Sequence, residues 1–340
     1  NGIVWEKPSL DVKVGTNIVS PARRDSTIVW QDLEESDPKR KYKIFAVAER
    51  YSTYCRMHLH YSPDGIHWGE PVATSGQCGD RSTVFWNPFR KVWVYGIRND
   101  SRYGRDRLYR EASNPITGAA WKTGELSWWV GADRLDMPRE DMRVQPQLYN
   151  LDAVAYESVM LGLFSIWHGQ TDARPKPNTV KLGFSRDGYH WYRPYREAFL
   201  PVSEQRTDWN WGNVQSAGGG CLVVGDKLYF YVSGRTSSPD TPTVHTCTTG
   251  LATLRRDGFA SMQTEETGTL VTRPLLFKGK HLFVNGDMSS GELRVECLDE
   301  QGRVLRGFLK EECQPVRADG TRIQVRWKHR ANLASLSGKR

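Results

Sequence analysis

The sequence lacks long apolar runs and clusters of metal-binding residue types. No stretch of about 18 apolar residues occurs in the 340 residues, so we predict no membrane-spanning helix and no membrane partner. The six cysteines include no Cys-x-x-Cys pair and no Cys/His group with zinc spacing, so we expect neither a metal nor a cofactor. They are compatible with buried small side chains or an occasional disulfide, which leaves the cellular compartment open.

Dense clusters of one charge are also missing. The formal net charge is +8, but the most basic stretches, "DPKRKYK" and "VRWKHR", are short. Short basic stretches are typical of a solvated face, whereas nucleic-acid binding uses a basic stripe or patch. We therefore expect no nucleic-acid partner.

What the chain has in excess is aromatic residues and one repeated turn. It contains 13 Trp, 14 Tyr and 11 Phe, a composition that favours β-sheets. Two full copies of Ser-x-Asp-Gly-x-x-Trp are "YSPDGIHW" (61–68) and "FSRDGYHW" (184–191), and partial copies are "NGIVW" (1–5) and "LRRDGFASM" (254–262). Asp-Gly favours a tight turn because glycine accepts a positive φ. We predict that the aspartates of these turns are structural.

The turns recur every 55 to 70 residues or so if "SNPITGAAW" (113–121) is a further one. This period suits four-stranded propeller blades. Pairs of apolar runs lie between the turns, as in "DRSTVFWNPFRKVWVYGIR", and predict buried antiparallel strands. We predict a propeller domain at 1–263 with four complete blades, at about 17–71, 76–121, 143–194 and 213–263. A fifth blade would largely precede Asn1, leaving its last turn and strand in "NGIVWEKP".

From Thr264 onward the pattern changes. Short strand-like stretches such as "GELRVECLDEQGRVL" follow without the blade-end turn. They predict a small β-sandwich at 264–340. Because a sandwich usually has more strands than these, we expect the C-terminal end of the chain to be incomplete. The partial turn at 1–5 leads us to expect the same of the N-terminal end.

Together these features resemble the five-bladed propeller glycosidases, most closely glycoside hydrolase family 32 and bacterial proteins similar to it. The resemblance covers about residues 1–310 and rests on the turns, the acidic residues near inner strands and the trailing β-rich segment. It implies an all-β fold, a five-bladed β-propeller followed by a small β-sandwich. It also implies a carbohydrate substrate, hydrolysis of a terminal or small glycan unit, and a periplasmic or secreted location.

The resemblance further implies roles for two carboxyl groups. "RDSTIVW" (24–30) is similar to the family's Arg-Asp-Pro motif, so Asp25 corresponds to the transition-state stabiliser and Arg24 to its neighbour. "GDRSTVFW" (79–86) stands where the family has its general acid, with Asp80 in place of Glu. The family's nucleophile lies in its first blade, which we expect to precede Asn1 for the most part, so no residue of this sequence corresponds to it.

The chemistry of the reaction also points to the acidic residues of the inner strands, because glycoside hydrolysis needs two carboxyls that flank the scissile bond. Inner strands of a propeller meet at its axis, so their acidic residues converge. The candidate catalytic carboxyls are Asp25, Asp80, Asp152 and Glu157. Arg24 and Arg81 adjoin two of them and are candidate substrate-binding residues. Structural salt bridges are the alternative explanation for these Arg-Asp pairs.

A second group of candidates suits sugar recognition, because aromatic faces stack on sugars and amides hold hydroxyls. Its members are Trp209, Trp211, Asn213 and Gln215 in "DWNWGNVQSAGGG" (208–220), and His168 in "SIWHGQ". Packing between blades is the alternative for the tryptophans, and close strand packing is expected of the glycine run. A non-catalytic glycan-binding propeller and a protein-interaction propeller remain open as alternatives to an enzyme.

Overall fold

The computed structural model describes residues 2–20, 24–51, 54–122, 124–174, 176–217, 219–237 and 245–338. β-Strands dominate, as expected of an all-β chain. The chain divides into two compact units. One comprises Asn1–Leu222 and Phe230–Ala252, and the other comprises Val223–Tyr229 and Thr253–Arg340.

Four antiparallel sheets, here called blades 1 to 4, follow one another along the chain. Blade 1 consists of β1 (Arg24–Gln31), β2 (Tyr42–Tyr51), β3 (Tyr54–Ser62) and β4 (Ala73–Thr74). Blade 2 consists of β5 (Thr83–Asn87), β6 (Val92–Ser101), β7 (Gly104–Ala112) and β8 (Ser127–Gly131). Blade 3 consists of β9 (Gln147–Tyr156), β10 (Val159–Trp167) and β11 (Asn178–Ser185). Blade 4 consists of β12 (Gly212–Ser216), β13 (Leu222–Val224), β14 (Lys227–Ser237) and β15 (His245–Arg255).

Alternating apolar side chains pack the first three blades face to face. Trp93 and Tyr95 on β6 belong to a buried cluster that includes Phe45 of blade 1. Val94, between them in sequence, belongs to a second cluster that includes Phe164 of blade 3. Successive side chains of a strand point to opposite faces, so blade 2 is covered by apolar neighbours on both sides. This is a β-propeller arrangement, and the described residues form four blades of it rather than five.

The end of blade 2 differs from the sequence prediction. The segment "SNPITGAAW" contains a short helix, α1 (Pro115–Ala119), where we expected a turn. The Asn114 side chain accepts a hydrogen bond from the Ile116 amide, and Pro115 occupies the start of the helix, which are both preferred N-terminal features. The chain then adds β8 to the sheet, so blade 2 extends beyond Trp121.

The repeated motif forms the expected turn. In the first copy the Ser62 hydroxyl donates to Asp64 Oδ1 at 2.9 Å, and Asp64 Oδ1 also accepts from the Ile66 amide at 2.8 Å. Gly65 has a φ of +79°, a conformation that glycine adopts without strain. The second copy repeats these contacts around Asp187. The aspartates therefore tie the turn to its own backbone.

The segment before β1 contacts two blades. The Tyr231 hydroxyl of β14 donates to the Gly2 carbonyl at 2.6 Å, and the Trp5 ring meets the Tyr231 ring edge-on at 5.6 Å. Further along, Asp11 binds His67 Nε2 at 3.0 Å, in the turn that follows β3. The segment thus contacts residues of blade 4 and of blade 1.

The second unit has less regular structure. Its named strands are β16 (Phe283–Asp287) and β17 (Asp319–Gln324), which pair antiparallel. Isolated bridges such as Leu293 to Val316 surround a core that contains Phe308 and Trp327. This arrangement does not confirm the predicted β-sandwich. In the part of the chain that the structure describes, no helix is long and apolar enough to cross a membrane.

Candidate functional site

Two of the four candidate carboxyls lie at or before the starts of inner strands. The hairpins after β1, β5 and β9 close at Gln31, Asn87 and Tyr156. Counted back from those positions, Asp25 is six residues away, Asp80 is seven and Asp152 is four. Asp25 and Asp80 therefore lie opposite the hairpins, whereas Asp152 lies in the middle of β9. Thr83 Oγ1 donates to the Leu151 carbonyl at 2.7 Å and joins β5 to β9 at this level.

Asp152 has the most unusual environment of the candidates. It is the sixth residue of β9 and so lies in the middle of the strand rather than at its start. Protein atoms surround the Asp152 carboxyl, although the residue as a whole is only partly buried; these surroundings are called the recess below. Burial raises the pKa of Asp152 to about 6, against the opposing effects of Ser216, Arg107, Arg81 and Asn150. Asn150 Nδ2 donates to Asp152 Oδ2 at 2.8 Å.

A fully buried arginine supports this recess. Arg107 of β7 donates from Nη1 to the Arg81 carbonyl at 2.6 Å and from Nη2 to the Tyr149 carbonyl. Burial lowers the pKa of Arg107 to about 10, so the guanidinium is still charged at neutral pH. Both Asp152 and Asp80 act electrostatically on Arg107, which places this one cation within reach of both carboxylates.

Asp80 is paired with a cation that the sequence did not suggest. It forms an ion pair with Arg98 of β6, which also binds Asp100 at 2.9 Å. Asp80 and Arg81 both precede β5, and Arg81 has a φ of +56°. The alternating side-chain directions of a β-strand therefore do not apply to this pair. The ion pair with Arg98 engages one oxygen of the Asp80 carboxylate.

Asp25 and Arg24 begin β1 and are exposed. Arg24 Nη1 donates to the Ser20 carbonyl at 3.0 Å. A bulge interrupts the pairing of β1 with β2 between Arg24 and Ser26, which changes the direction of side chains at this point.

Glu157 is separated from the other carboxyls. It lies in the turn between β9 and β10, with a φ of +50°, five residues beyond Asp152. At about 3.3 Å per residue, this is about 16 Å along the strand. The structure does not bring Glu157 to the recess, because it lies at the hairpin end of the blade.

Buried amide side chains link blade 3 to blade 4. Asn213 Oδ1 accepts from Asn178 Nδ2 at 2.9 Å and from Gln215 Nε2 at 2.8 Å. Three buried amide oxygens have no hydrogen-bond partner among the described residues: Asn150 Oδ1, Asn178 Oδ1 and Gln215 Oε1. The Ser216 hydroxyl also lacks strict hydrogen-bond geometry to any partner there, although it is close enough to lower the pKa of Asp152.

The glycine run "AGGG" allows blade 4 to approach β9. A Cβ on Gly220 would lie 2.2 Å from Val154 Cγ1, so no larger residue fits there. This is the close strand packing that we expected. It brings Ser216, a few residues earlier, against Asp152.

The two candidate tryptophans have different environments. Trp211 is buried and Arg174 lies over its ring at 5.7 Å, so the ring packs within the protein and offers no open face. The burial of Trp211 favours the alternative of packing within the protein. Trp209 is 39% exposed, and its ring covers Gly234 and Gly250, where a Cβ would approach to 2.9 and 2.3 Å. One face of Trp209 thus packs on the sheet while part of the ring stays accessible.

His168 follows β10 and is buried. Its Nε2 is 2.9 Å from Thr179 Oγ1, and Nδ1 lacks a hydrogen-bond partner among the described residues. Burial lowers the pKa of His168 to about 4, with Lys181 and Arg139 adding to the effect. The imidazole is therefore neutral at ordinary pH.

Sequence analysis missed Arg98, Arg107, Asn150, Asn178 and Ser216. The two arginines come from the second and third strands of blade 2, inside the polar stretch "IRNDSRYGRDRLYR". Nothing in that stretch distinguishes the arginine that becomes buried from those that stay exposed. Asn150 was recognisable, because it lies two residues before Asp152 and shares its face of the strand.

Comparisons with known proteins give only structural likeness. No family model matches the chain, and no curated protein matches it. A thermostable family-43 glycoside hydrolase is similar at 11% identity and a TM-score of 0.45, over 68% of this chain and 75% of that one. A glycosyl hydrolase from Bacteroides ovatus is similar at 9% identity and a TM-score of 0.41, over 62% of each chain.

A family-32 β-fructofuranosidase from Bombyx mori in complex with sucrose is similar at 12% identity and a TM-score of 0.35. That match covers 74% of this chain and 50% of the Bombyx protein. Similarity at these levels is limited to the general course of the strands and carries no argument about activity.

Proposed function

We propose that the protein is a glycoside hydrolase in which Asp152 donates the proton to the departing glycosidic oxygen. One observation carries this proposal: the Asp152 carboxyl lies in a recess near the inner strands, and burial raises its pKa to about 6. A general acid works best when its pKa is near the working pH, because it then holds its proton and still releases it readily. The same environment would be unfavourable for a purely structural carboxylate.

The second carboxyl in this proposal is Asp80. Asp80 and Asp152 both act on Arg107, and their surroundings differ, since Asp152 is desolvated and Asp80 is paired with Arg98. Two carboxyls in unlike environments can divide the roles of acid and of base or nucleophile. Asp25, near the start of the inner strand of blade 1, is the alternative second carboxyl.

Substrate recognition would use the polar side chains beside Asp152. Asn150 Nδ2 donates to Asp152 Oδ2 at 2.8 Å, and the Ser216 hydroxyl is close enough to lower the pKa of Asp152. Trp209 would offer an aromatic face to a sugar ring.

A glycan-binding protein without activity is the second candidate function. The observation that favours it is the ion pair of Asp80 with Arg98, which occupies one of the two carboxyls. Such a protein would keep the amide and aromatic contacts but would not cleave the glycosidic bond.

The experiment compares the wild type with the Asp152→Asn variant on two substrate types. One is a panel of aryl glycosides with good leaving groups, and the other is a panel of oligosaccharides with poor leaving groups. We expect Asp152→Asn to lose about 100-fold or more in kcat on poor leaving groups, the usual size of general acid catalysis, and far less on good ones. Equal losses on both panels would refute the role of Asp152. Binding without turnover by the wild type would favour the glycan-binding alternative.

We further infer that the blades belong to a five-bladed ring and that the C-terminal unit is a small sandwich, as the resemblance implies. The contacts of Tyr231 with Gly2 and of His67 with Asp11 support a place for a further blade between blades 4 and 1. Deletion of residues 2–20 should then speed hydrogen exchange in β3 and β14 together. Unchanged exchange in both strands would argue against this ring.

A further inference from the structure

Two buried cysteines face each other across a pair of backbone segments in blade 1. Cys55 lies in β3, and Cys78 lies in the segment that leads to β5. The Cys55 amide donates to the Cys78 carbonyl at 2.9 Å, and the Cys78 amide donates to the Cys55 carbonyl at 2.9 Å. This reciprocal pattern defines a hydrogen-bonded antiparallel pair, in which the Cα atoms are about 5.5 Å apart. Disulfides have Cα separations of about 4.4 to 6.8 Å, so the backbone already meets this requirement.

The thiols are also close to one another. Each cysteine is only 3% exposed, and Cys78 Sγ lies 3.4 Å from the Cys55 carbonyl oxygen. The pKa of Cys78 is raised to about 12, mainly by burial, and the Cys55 thiol adds to this effect. Directly opposed residues have Cβ atoms about 4.5 to 5.5 Å apart. A disulfide needs a Cβ separation near 3.8 Å, so closure requires the Cβ atoms to approach by about 1 to 2 Å and the Cys78 side chain to rotate.

We propose that Cys55 and Cys78 form a disulfide bond when the chain folds in the presence of a disulfide oxidant. The two thiols lose two electrons and two protons as the Sγ–Sγ bond forms, and a small-molecule disulfide takes them up and becomes two thiols. A thiolate of one cysteine first attacks the oxidant to give a mixed disulfide, and the other cysteine then displaces the small thiol. Because both side chains are buried after folding, the reaction takes place before blade 1 closes or during its local opening.

The cross-link would act on the segment that carries Asp80. Cys78 is two residues before Asp80, and the Ser82 hydroxyl, which donates to the Gly79 carbonyl at 2.9 Å, closes the turn between them and β5. A bond from Cys78 to β3 would therefore anchor the start of blade 2 on blade 1. Asp80 would be held from one side by Arg98 and from the other by this covalent link.

The pairing can be mapped in the wild-type chain. The protein is refolded with oxidised and reduced glutathione, alkylated under denaturing conditions and digested with trypsin. Cleavage at Arg50, Arg56 and Arg81 places the two cysteines in separate peptides, 51–56 and 57–81, each with one cysteine. We expect these peptides to be joined in the oxidised sample and separate after reduction. Alkylation of both cysteines in the oxidised sample, or pairing of either with another cysteine, would overturn the proposal.

A stability measurement tests the anchoring role. The oxidised wild type should have a thermal midpoint several degrees above that of the reduced protein. This difference should vanish in a Cys55→Ala, Cys78→Ala double variant, while a Cys297→Ala, Cys313→Ala variant should keep it. A midpoint that does not respond to oxidation, despite a mapped cross-link, would contradict the anchoring of blade 2. Neither measurement depends on glycosidase activity.

Discussion

Replacement of Asp152 by Asn should make the folded protein more stable as it removes the proposed proton donor. The folded-state pKa of about 6, compared with the ordinary value of 3.8, means that burial disfavours the ionised carboxylate. At 1.36 kcal/mol for each pH unit, this difference corresponds to about 3 kcal/mol at neutral pH. The asparagine amide is uncharged, and its oxygen can still accept the hydrogen bond from Asn150.

The pH dependence follows from the sign of this shift. An acid with a raised folded-state pKa holds its proton more tightly in the folded chain, so ionisation between about pH 4 and pH 6 lowers wild-type stability. Asp152→Asn has no such loss. The stability advantage of the variant should therefore be small at pH 4 and grow by roughly 2 to 3 kcal/mol by pH 8.

Urea denaturation at pH 4, 5, 6 and 8 would measure this difference. Asp172→Asn, a substitution of an exposed carboxylate in the loop before β11, is the control, and it should change stability by less than about 0.5 kcal/mol at each pH. A difference between the wild type and Asp152→Asn that stays constant across these pH values would refute the account of the recess.

Three further predictions concern the structural elements. The Asp64 and Asp11 carboxylates raise the pKa of His67, so His67→Gln should lower the thermal midpoint more at acidic pH, where the imidazole is protonated, than at alkaline pH, where it is neutral. Asp187→Ala should lower the thermal midpoint but leave turnover per folded molecule near the wild-type value, and a loss of turnover alone would show that this turn belongs to the active face. Gly162→Ala should destabilise by about 1 to 3 kcal/mol in urea denaturation, because its Cβ would lie 2.6 Å from the Trp191 ring; no change would mean that the ring moves freely.

The parts of the fold that depend on local sequence were predictable. The Ser62–Asp64–Gly65 turn is held by contacts within four residues, so the motif was sufficient to identify it. The pairs of apolar runs likewise identified the paired strands of blade 2. The short helix at Pro115 was missed although Asn114 and Pro115 are its N-terminal signature.

The candidate site was only partly predictable, because its environment is tertiary. Asp152 could be named from its nearness to an inner strand, but its raised pKa depends on burial contributed by other blades. Arg98 and Arg107 reach the site from β6 and β7. The sequence of these strands shows only that polar residues alternate with others, which does not identify these two arginines. The packing of the Trp211 ring involves Arg174, which is 37 residues earlier in the chain.

The pH dependence of kcat/KM for the wild type tests the central claim most directly. If Asp152 is the proton donor in the free enzyme, kcat/KM on a substrate with a poor leaving group should fall tenfold per pH unit above an apparent pKa of about 6, because the ionised carboxyl cannot donate. The same limb should be weak or absent on an activated aryl glycoside. A profile on the poor leaving group that stays flat from pH 5 to pH 8 would contradict the assignment of Asp152 as the acid.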